Sequence, residues 1–122
     1  MSLSVFGFMI DDANFCFDSP LKIVNVSGRL LGTGPIVLRS TMSNLLFFLL
    51  MQHQKDIITD NEIMHHVWDK NGLSSSHSRL VQVISALKQN LILAGFDENM
   101  IERIPGKGYR ITSGNIKILY QY

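Results

Sequence analysis

The chain holds a single cysteine, Cys16, so it can close no intrachain disulfide and build no cysteine metal cluster. Cys16 lies between Phe15 and Phe17 in a strand-like alternation, which suits a small, half-buried residue in a reducing compartment. Charge of either sign is in short supply. Eleven basic against ten acidic side chains leave a formal +1, far from the excess that marks a strongly basic nucleic-acid binder. Long apolar runs are also missing. The longest, Leu45 to Met51, is too short to cross a bilayer and predicts a buried helix. The N-terminus lacks the basic, apolar and small-residue segments of a secretory signal. A cytoplasmic location is expected, with an inner-membrane tether only if the natural chain continues past Tyr122 into a further apolar stretch.

Chemistry-bearing constellations are absent as well. His65 and His66 are neighbours on a helical segment, so they point about 100° apart, and no third ligand is spaced to join them. His53 and His77 are isolated. Ser74-Ser75-Ser76 has no glycine elbow and no partner acid in register. Gly106-Lys107-Gly108 is too short to be a phosphate-cradling loop that opens a helix. No enzyme, metal or cofactor is expected.

What is present is a foldable chain. Hydrophobic residues make up 46% of its 122 residues and charged residues 17%, which predicts a globular rather than a disordered state. The few charges are unevenly spread. The first 68 residues carry four basic and six acidic side chains, and the remaining 54 carry seven and four. The C-terminal part is therefore the basic one.

Its centre is the stretch 74–91, SSSHSRLVQVISALKQNL. Leu80, Ile84, Leu87 and Leu91 recur at the spacing of one helical stripe. Ser75, Ser78, Gln82, Ser85 and Gln89 fall opposite that stripe, with Arg79 and Lys88 beside them. A leucine back and a short, acid-free polar front suit a helix that enters a DNA major groove, because nothing on the front blocks the base edges. An ordinary amphipathic surface helix has the same pattern, so the flanking elements must decide.

Short strands come first. Residues 4–10, 14–18, 21–26, 29–31 and 36–39 alternate or run apolar between turns at Asp11-Asp12-Ala13-Asn14, Ser19-Pro20, Ser27-Gly28 and 32–35, which predicts an antiparallel sheet. A helix follows, capped by Thr41 and ending near His53. Ile57 and Ile58 suit a short strand. Thr59-Asp60-Asn61-Glu62 has the spacing of a capping box, which opens a helix that buries Ile63, Val67 and Trp68 and stops at Asn71-Gly72. Ser74 or Ser75 is the expected cap of the third helix, and Ala94-Gly95-Phe96 turns the chain after it. Met100 to Ile104 and Tyr109 to Thr112 read as a hairpin about Pro105-Gly106-Lys107-Gly108, with Tyr109 as its packed anchor. Ser113-Gly114-Asn115 turns into a last strand, Ile116 to Tyr120, with no assigned partner.

The expected fold is α+β: a winged helix-turn-helix with an N-terminal antiparallel sheet, three helices and a C-terminal β-hairpin wing. Residues 1–122 form one domain in this reading. The sheet spans about 4–39, the helix-turn-helix about 42–93, the wing about 100–112 and the final strand about 115–121.

At this point a family resemblance enters. IERIPGKGYRI at 101–111 resembles the C-terminal hairpin of OmpR/PhoB-type winged-helix transcription factors. TDNEIMHHVWD at 59–69 is similar to their capped second helix. LVQVISALKQNL at 80–91 is similar to their recognition helix, most of all in the ToxR-like branch, whose wing also places a proline before the glycine. The likeness covers about residues 15–112. It implies DNA binding and bacterial transcription regulation. It puts base contacts at Ser78, Gln82, Ser85 and Ala86, with Lys88 near the backbone, and wing contacts at Arg103, Lys107 and Arg110. The chain departs from the pattern where Ser78, Ser85, Ala86 and Pro105 stand in place of frequent arginines, which weakens phosphate neutralisation. No receiver-like sequence precedes the helices, so phosphorylation of an acidic pocket is not the expected switch. ToxR-like relatives carry a membrane helix after the winged domain.

Chemically, Gln82 can bond an adenine edge through both ends of its amide, and Gln89 shares its face. Arg79 and Lys88 can pair with phosphates, and Gly106 and Gly108 let the wing backbone approach a duplex closely. Expected partners are double-stranded promoter DNA, a second copy as a homodimer or in tandem on repeated half-sites, and a partner regulator protein. The rival reading is a protein-interaction module on the same scaffold with weak or no autonomous DNA binding. A weaker third reading gives Phe6, Phe8, Phe15 and Phe17 an apolar signal, although such residues are more often core.

Overall fold

The computed structural model describes residues 4–10, 13–16, 22–25, 36–93, 96–112 and 115–121. The turns expected at Ser19-Pro20, Ser27-Gly28 and 32–35 lie outside them, as do Asp11-Asp12, Ala94-Gly95 and Ser113-Gly114 of three further expected turns, the strand expected at 29–31 and Phe17. Ala13 and Asn14, expected in the first turn, are instead paired strand residues. For Phe6, Phe15 and Cys16 the description covers the backbone alone.

Strands β1 (Ser4–Ile10), β2 (Ala13–Cys16), β3 (Lys22–Asn25) and β4 (Ile36–Val37) form an antiparallel meander. The last strand, β8 (Ile116–Gln121), completes it on the far side of β1, giving the order β4-β3-β2-β1-β8. Phe8 is opposite Phe15 on one side and Ile118 on the other. A bulge between Val5 and Gly7 shifts the β1–β8 register. The partner that the sequence leaves unassigned is thus the first strand of the chain. A second antiparallel sheet, in the order β5-β7-β6, joins β5 (Ile58–Thr59), β6 (Ile101–Ile104) and β7 (Gly108–Ile111).

Helices α1 (Ser40–Met51), α2 (Asp60–Val67) and α3 (His77–Leu93) pack against one another. One hydrophobic cluster runs through Phe8 and Ile10, the four leucines of α1 at 45, 46, 49 and 50, Ile63 and Trp68, the α3 stripe, and Ile101, Tyr109 and Ile111 of the wing. Phe8 meets Phe47 edge-on at 5.9 Å between ring centres. The stripe behaves as its periodicity predicts: Leu80, Ile84, Leu87 and Leu91 are all buried. Each such side chain contributes roughly 2 kcal/mol of transfer free energy.

Helix starts are where local expectation and structure part. Helix α1 begins at Ser40 with Arg39 as its N-cap, and no side chain caps it. Thr41 therefore lies inside the first turn rather than at the cap. Leu38 is buried just after β4, and the helix begins two residues earlier than a Thr41 cap would place it. Helix α3 begins at His77, later than Ser74 or Ser75 would place it. Ser76 is the cap instead, its Oγ accepting the Arg79 amide at 3.1 Å and its carbonyl the Leu80 amide at 3.0 Å. Helix α2 ends at Val67, and a 3-10 turn over Asp69–Asn71 carries the chain to Gly72, whose φ of 74° closes the segment.

The capping box at α2 is complete. The Glu62 amide donates to Thr59 Oγ1 at 3.2 Å, and the Thr59 amide donates to Glu62 Oε2 at 3.0 Å. Lys55 adds its ammonium to Glu62 Oε1 at 2.6 Å. Partial burial opposes ionisation of Glu62, yet the bonds from Lys55 and Thr59 outweigh it and hold the carboxyl below its ordinary range. A carboxylate depressed in the folded state adds stability above the ordinary glutamate range and loses it as pH falls through the lowered value. Thermal melts of Glu62→Gln against the parent will differ most near neutral pH, with the parent more stable, and converge in acid.

At Gly108 a β-carbon would overlap the Ile58 carbonyl oxygen and stand 2.8 Å from Thr59 Cα, so β7 can pair with β5 only through a glycine. Gly108→Ala is expected to lower stability by roughly 3 kcal/mol, read as the denaturant midpoint.

Candidate nucleic-acid interface

Helix α3 presents the predicted front except at Ser75, which precedes the helix and is half-buried. Ser78, Arg79, Gln82, Ser85, Ala86 and Gln89 are exposed, and Lys88 is half-buried. The expectation missed Val81, which is 56% exposed beside Gln82. The signal was there: Val81 is the apolar residue of the N-terminal half that falls between the leucine stripe and the polar front.

The wing turn sits at the start of this helix. Gly106 and Lys107 share a groove of about 360 Å³ with Thr59, Asp60, Asn61 and His77. Backbone pairing holds them there, since the Asp60 amide donates to the Lys107 carbonyl at 3.1 Å and β7 pairs with β5. Gly106 has a φ of 75°, which the tight turn requires.

The three wing cations are not equivalent. Arg103 turns inward. Its Nη1 donates to Asp60 Oδ1 at 2.6 Å, and its guanidinium lies 4.9 Å from the centre of the Tyr109 ring. The bond to Asp60 raises the pKa of Arg103, and burial raises that of the Tyr109 phenol. Asp60, at 12% side-chain exposure, has its charge answered at the N-terminus of α2 by Arg103. Arg110 pairs with Glu102 at 2.9 Å across β6 and β7. Arg103, expected at a groove contact, thus ties the wing to α2, and Lys107 is the wing cation with no side-chain partner among the described residues. Local sequence could not show this, because Asp60 lies 43 residues before Arg103.

On the other side of α3 a larger groove, of about 510 Å³, runs between the start of α1 and the helix front. Arg39, Thr41, Trp68, Arg79, Gln82 and Ala86 are among its lining residues. Arg39 was not among the expected contacts, since nothing along the chain links it to α3. His66 stacks on Phe48 at 4.7 Å with 17° between the rings, and His65 meets His66 edge-on. Among the described residues no group of three or more metal-ligating side chains occurs, and no helix is long and apolar enough to cross a membrane.

A presented helix, a hairpin docked at its start and a supporting pair of helices define the winged helix-turn-helix class of DNA-binding domains. The family described as "Transcriptional regulatory protein, C terminal" matches residues 34–111, and the chain belongs to that family. It is a DNA-binding domain of a transcriptional regulator, of the OmpR/PhoB type. No curated protein matches the sequence. The fold is similar to the DNA-binding domain of E. coli CadC, with a TM-score of 0.70 at 20% identity over 97% of this chain and all of that one. It is also similar to the C-terminal domain of the nisin resistance regulator NsrR, a lantibiotic response regulator, with a TM-score of 0.60 at 18% identity over 93% of this chain and all of that one. The AdeR response regulator DNA-binding domain, solved in complex with an intercistronic region, gives 0.59 at 22% identity over 84% of this chain and 96% of that one.

Removing the Arg103 tie separates structure from charge. Arg103→Ala leaves Asp60 unanswered and is expected to cost roughly 1 kcal/mol of folding stability, discounted because the arginine side chain is 39% exposed. Urea unfolding checks it; an unchanged midpoint would mean that the Asp60 pair holds nothing in place.

Proposed function

We propose that the domain reads double-stranded promoter DNA with α3 in the major groove and the 104–108 turn at the adjacent minor groove or backbone. The observation that carries this is the exposed front of α3, in which Ser78, Gln82, Ser85, Ala86 and Gln89 stand clear of the core with no acid among them. In this reading Gln82 bonds an adenine edge through its amide, and the small neighbours let the helix sit deep. Ala86 and Val81 offer methyl groups of the kind that meet a thymine methyl. Arg79, Lys88 and Lys107 pair with phosphates and set the register.

Three unpaired cations predict modest affinity for one copy, with a slope of log affinity against log salt of about −3. Two copies on repeated half-sites bind better through their raised local concentration. The proline before the wing glycine and the Gln82-Ser85 front support placement in the ToxR-like branch. The rival, a protein-docking module on this scaffold, is favoured by one observation: Arg103 and Arg110 both spend their charge inside the domain.

Anisotropy titrations of labelled promoter fragments and scrambled duplexes at several salt concentrations test the reading. Gln82→Ala is expected to lose roughly tenfold on the specific site and little on scrambled DNA. Lys107→Ala is expected to weaken both alike and flatten the salt slope by about one. Absence of salt-dependent binding by the parent domain to any bacterial promoter duplex would leave the docking module as the better reading.

A further inference from the structure

The cations of the wing and of α3 do not exhaust the surface available to a duplex. Arg39, the N-cap of α1, and Arg79, in the first turn of α3, line the same groove of about 510 Å³. Neither guanidinium has a partner among the described residues. The nine lining residues include no acid, so nothing in the groove answers those two charges. Helix α1 has no acidic residue in its first turn and no side-chain cap, so that end does not repel an anion either.

Trp68 also lines the groove, yet it is only 1% exposed. Arg39 and Arg79, two unpartnered side chains that can only donate, therefore line one groove together with Trp68. The complementary ligand is an acceptor-rich anion with several oxygens. Gln82 and Ala86 of the presented face line the same groove, so an anion seated there is continuous with whatever meets the front of α3.

We infer that this groove seats a backbone phosphate of the duplex, held by Arg39 and Arg79 beside Trp68. The inference rests on the DNA reading above. It makes Arg39 a phosphate anchor and moves backbone neutralisation from the wing, where Arg103 and Arg110 are occupied, to the α1 side of the recognition helix. The expected salt slope of one copy becomes about −4 rather than −3.

Trp68 is the chain's one tryptophan, so its emission reports on the groove directly. Duplex DNA is expected to change that emission, and inorganic phosphate at the same ionic strength is expected not to. Arg39→Ala should flatten the salt slope by about one and weaken specific and scrambled duplexes by the same factor, with Arg39→Lys restoring the slope. The Arg39 side chain makes no cap bond, so a thermal melt of Arg39→Ala should match the parent. If the parent binds DNA with salt dependence while Arg39→Ala changes neither slope nor affinity, the groove assignment falls and the DNA reading stands. Saturation of the Trp68 signal by inorganic phosphate alone would overturn it in favour of a free-anion site. A parent domain that binds no duplex would remove both readings together.

Discussion

At Gly108 the wing strand lies so close to the strand entering α2 that no side chain fits between them. Most of the interface geometry depends on this approach. It lets β7 pair with β5, which brings the wing turn against the first residue of α2, where the Asp60 amide meets the Lys107 carbonyl. That contact in turn places Asp60 within reach of Arg103, and the guanidinium settles over Tyr109. The hairpin is thus not a free arm but a part of the helix-turn-helix core, sharing its hydrophobic cluster through Ile101, Tyr109 and Ile111. The distance from wing turn to recognition helix is set by backbone pairing, which is stiffer than any side-chain contact.

The same packing divides the charges. In a chain with a formal +1, each cation bound inside the domain is one fewer for a polyanion. Arg103 and Arg110 are bound in this way, and Lys55 is held by the α2 capping box. Arg79, Lys107 and Arg39 stand free among the described residues, spread around α3 rather than gathered on the wing. The front of α3 is polar but uncharged. Such a surface discriminates by hydrogen bonding and shape more than by charge, and it draws little on the long-range attraction that makes strongly basic domains bind any duplex.

Legibility in the sequence followed the range of the deciding interaction. The α2 capping box was readable because its partners, Thr59 and Glu62, are three residues apart and meet in any helix. The leucine stripe of α3 was readable because periodicity alone places four side chains on one face. The start of α3 was not, since Ser74, Ser75 and Ser76 are equally suited to cap it and packing at Leu80 selects Ser76. Thr41 failed as a cap because α1 begins two residues sooner, just after the buried Leu38. Val81 was a residue that a stripe-and-front division leaves unassigned.

By itself the amino-acid order determined the elements and the face that α3 keeps for the core, because propensity, capping and helical period act over a few neighbours. It also carried the family signature in the 59–69, 80–91 and 101–111 stretches. Tertiary structure alone decided that β8 returns to β1, that Arg103 answers Asp60, and that Arg39 reaches the groove beside α3. Each of these joins residues tens of positions apart, and which distant groups meet depends on how the whole core closes rather than on any local preference.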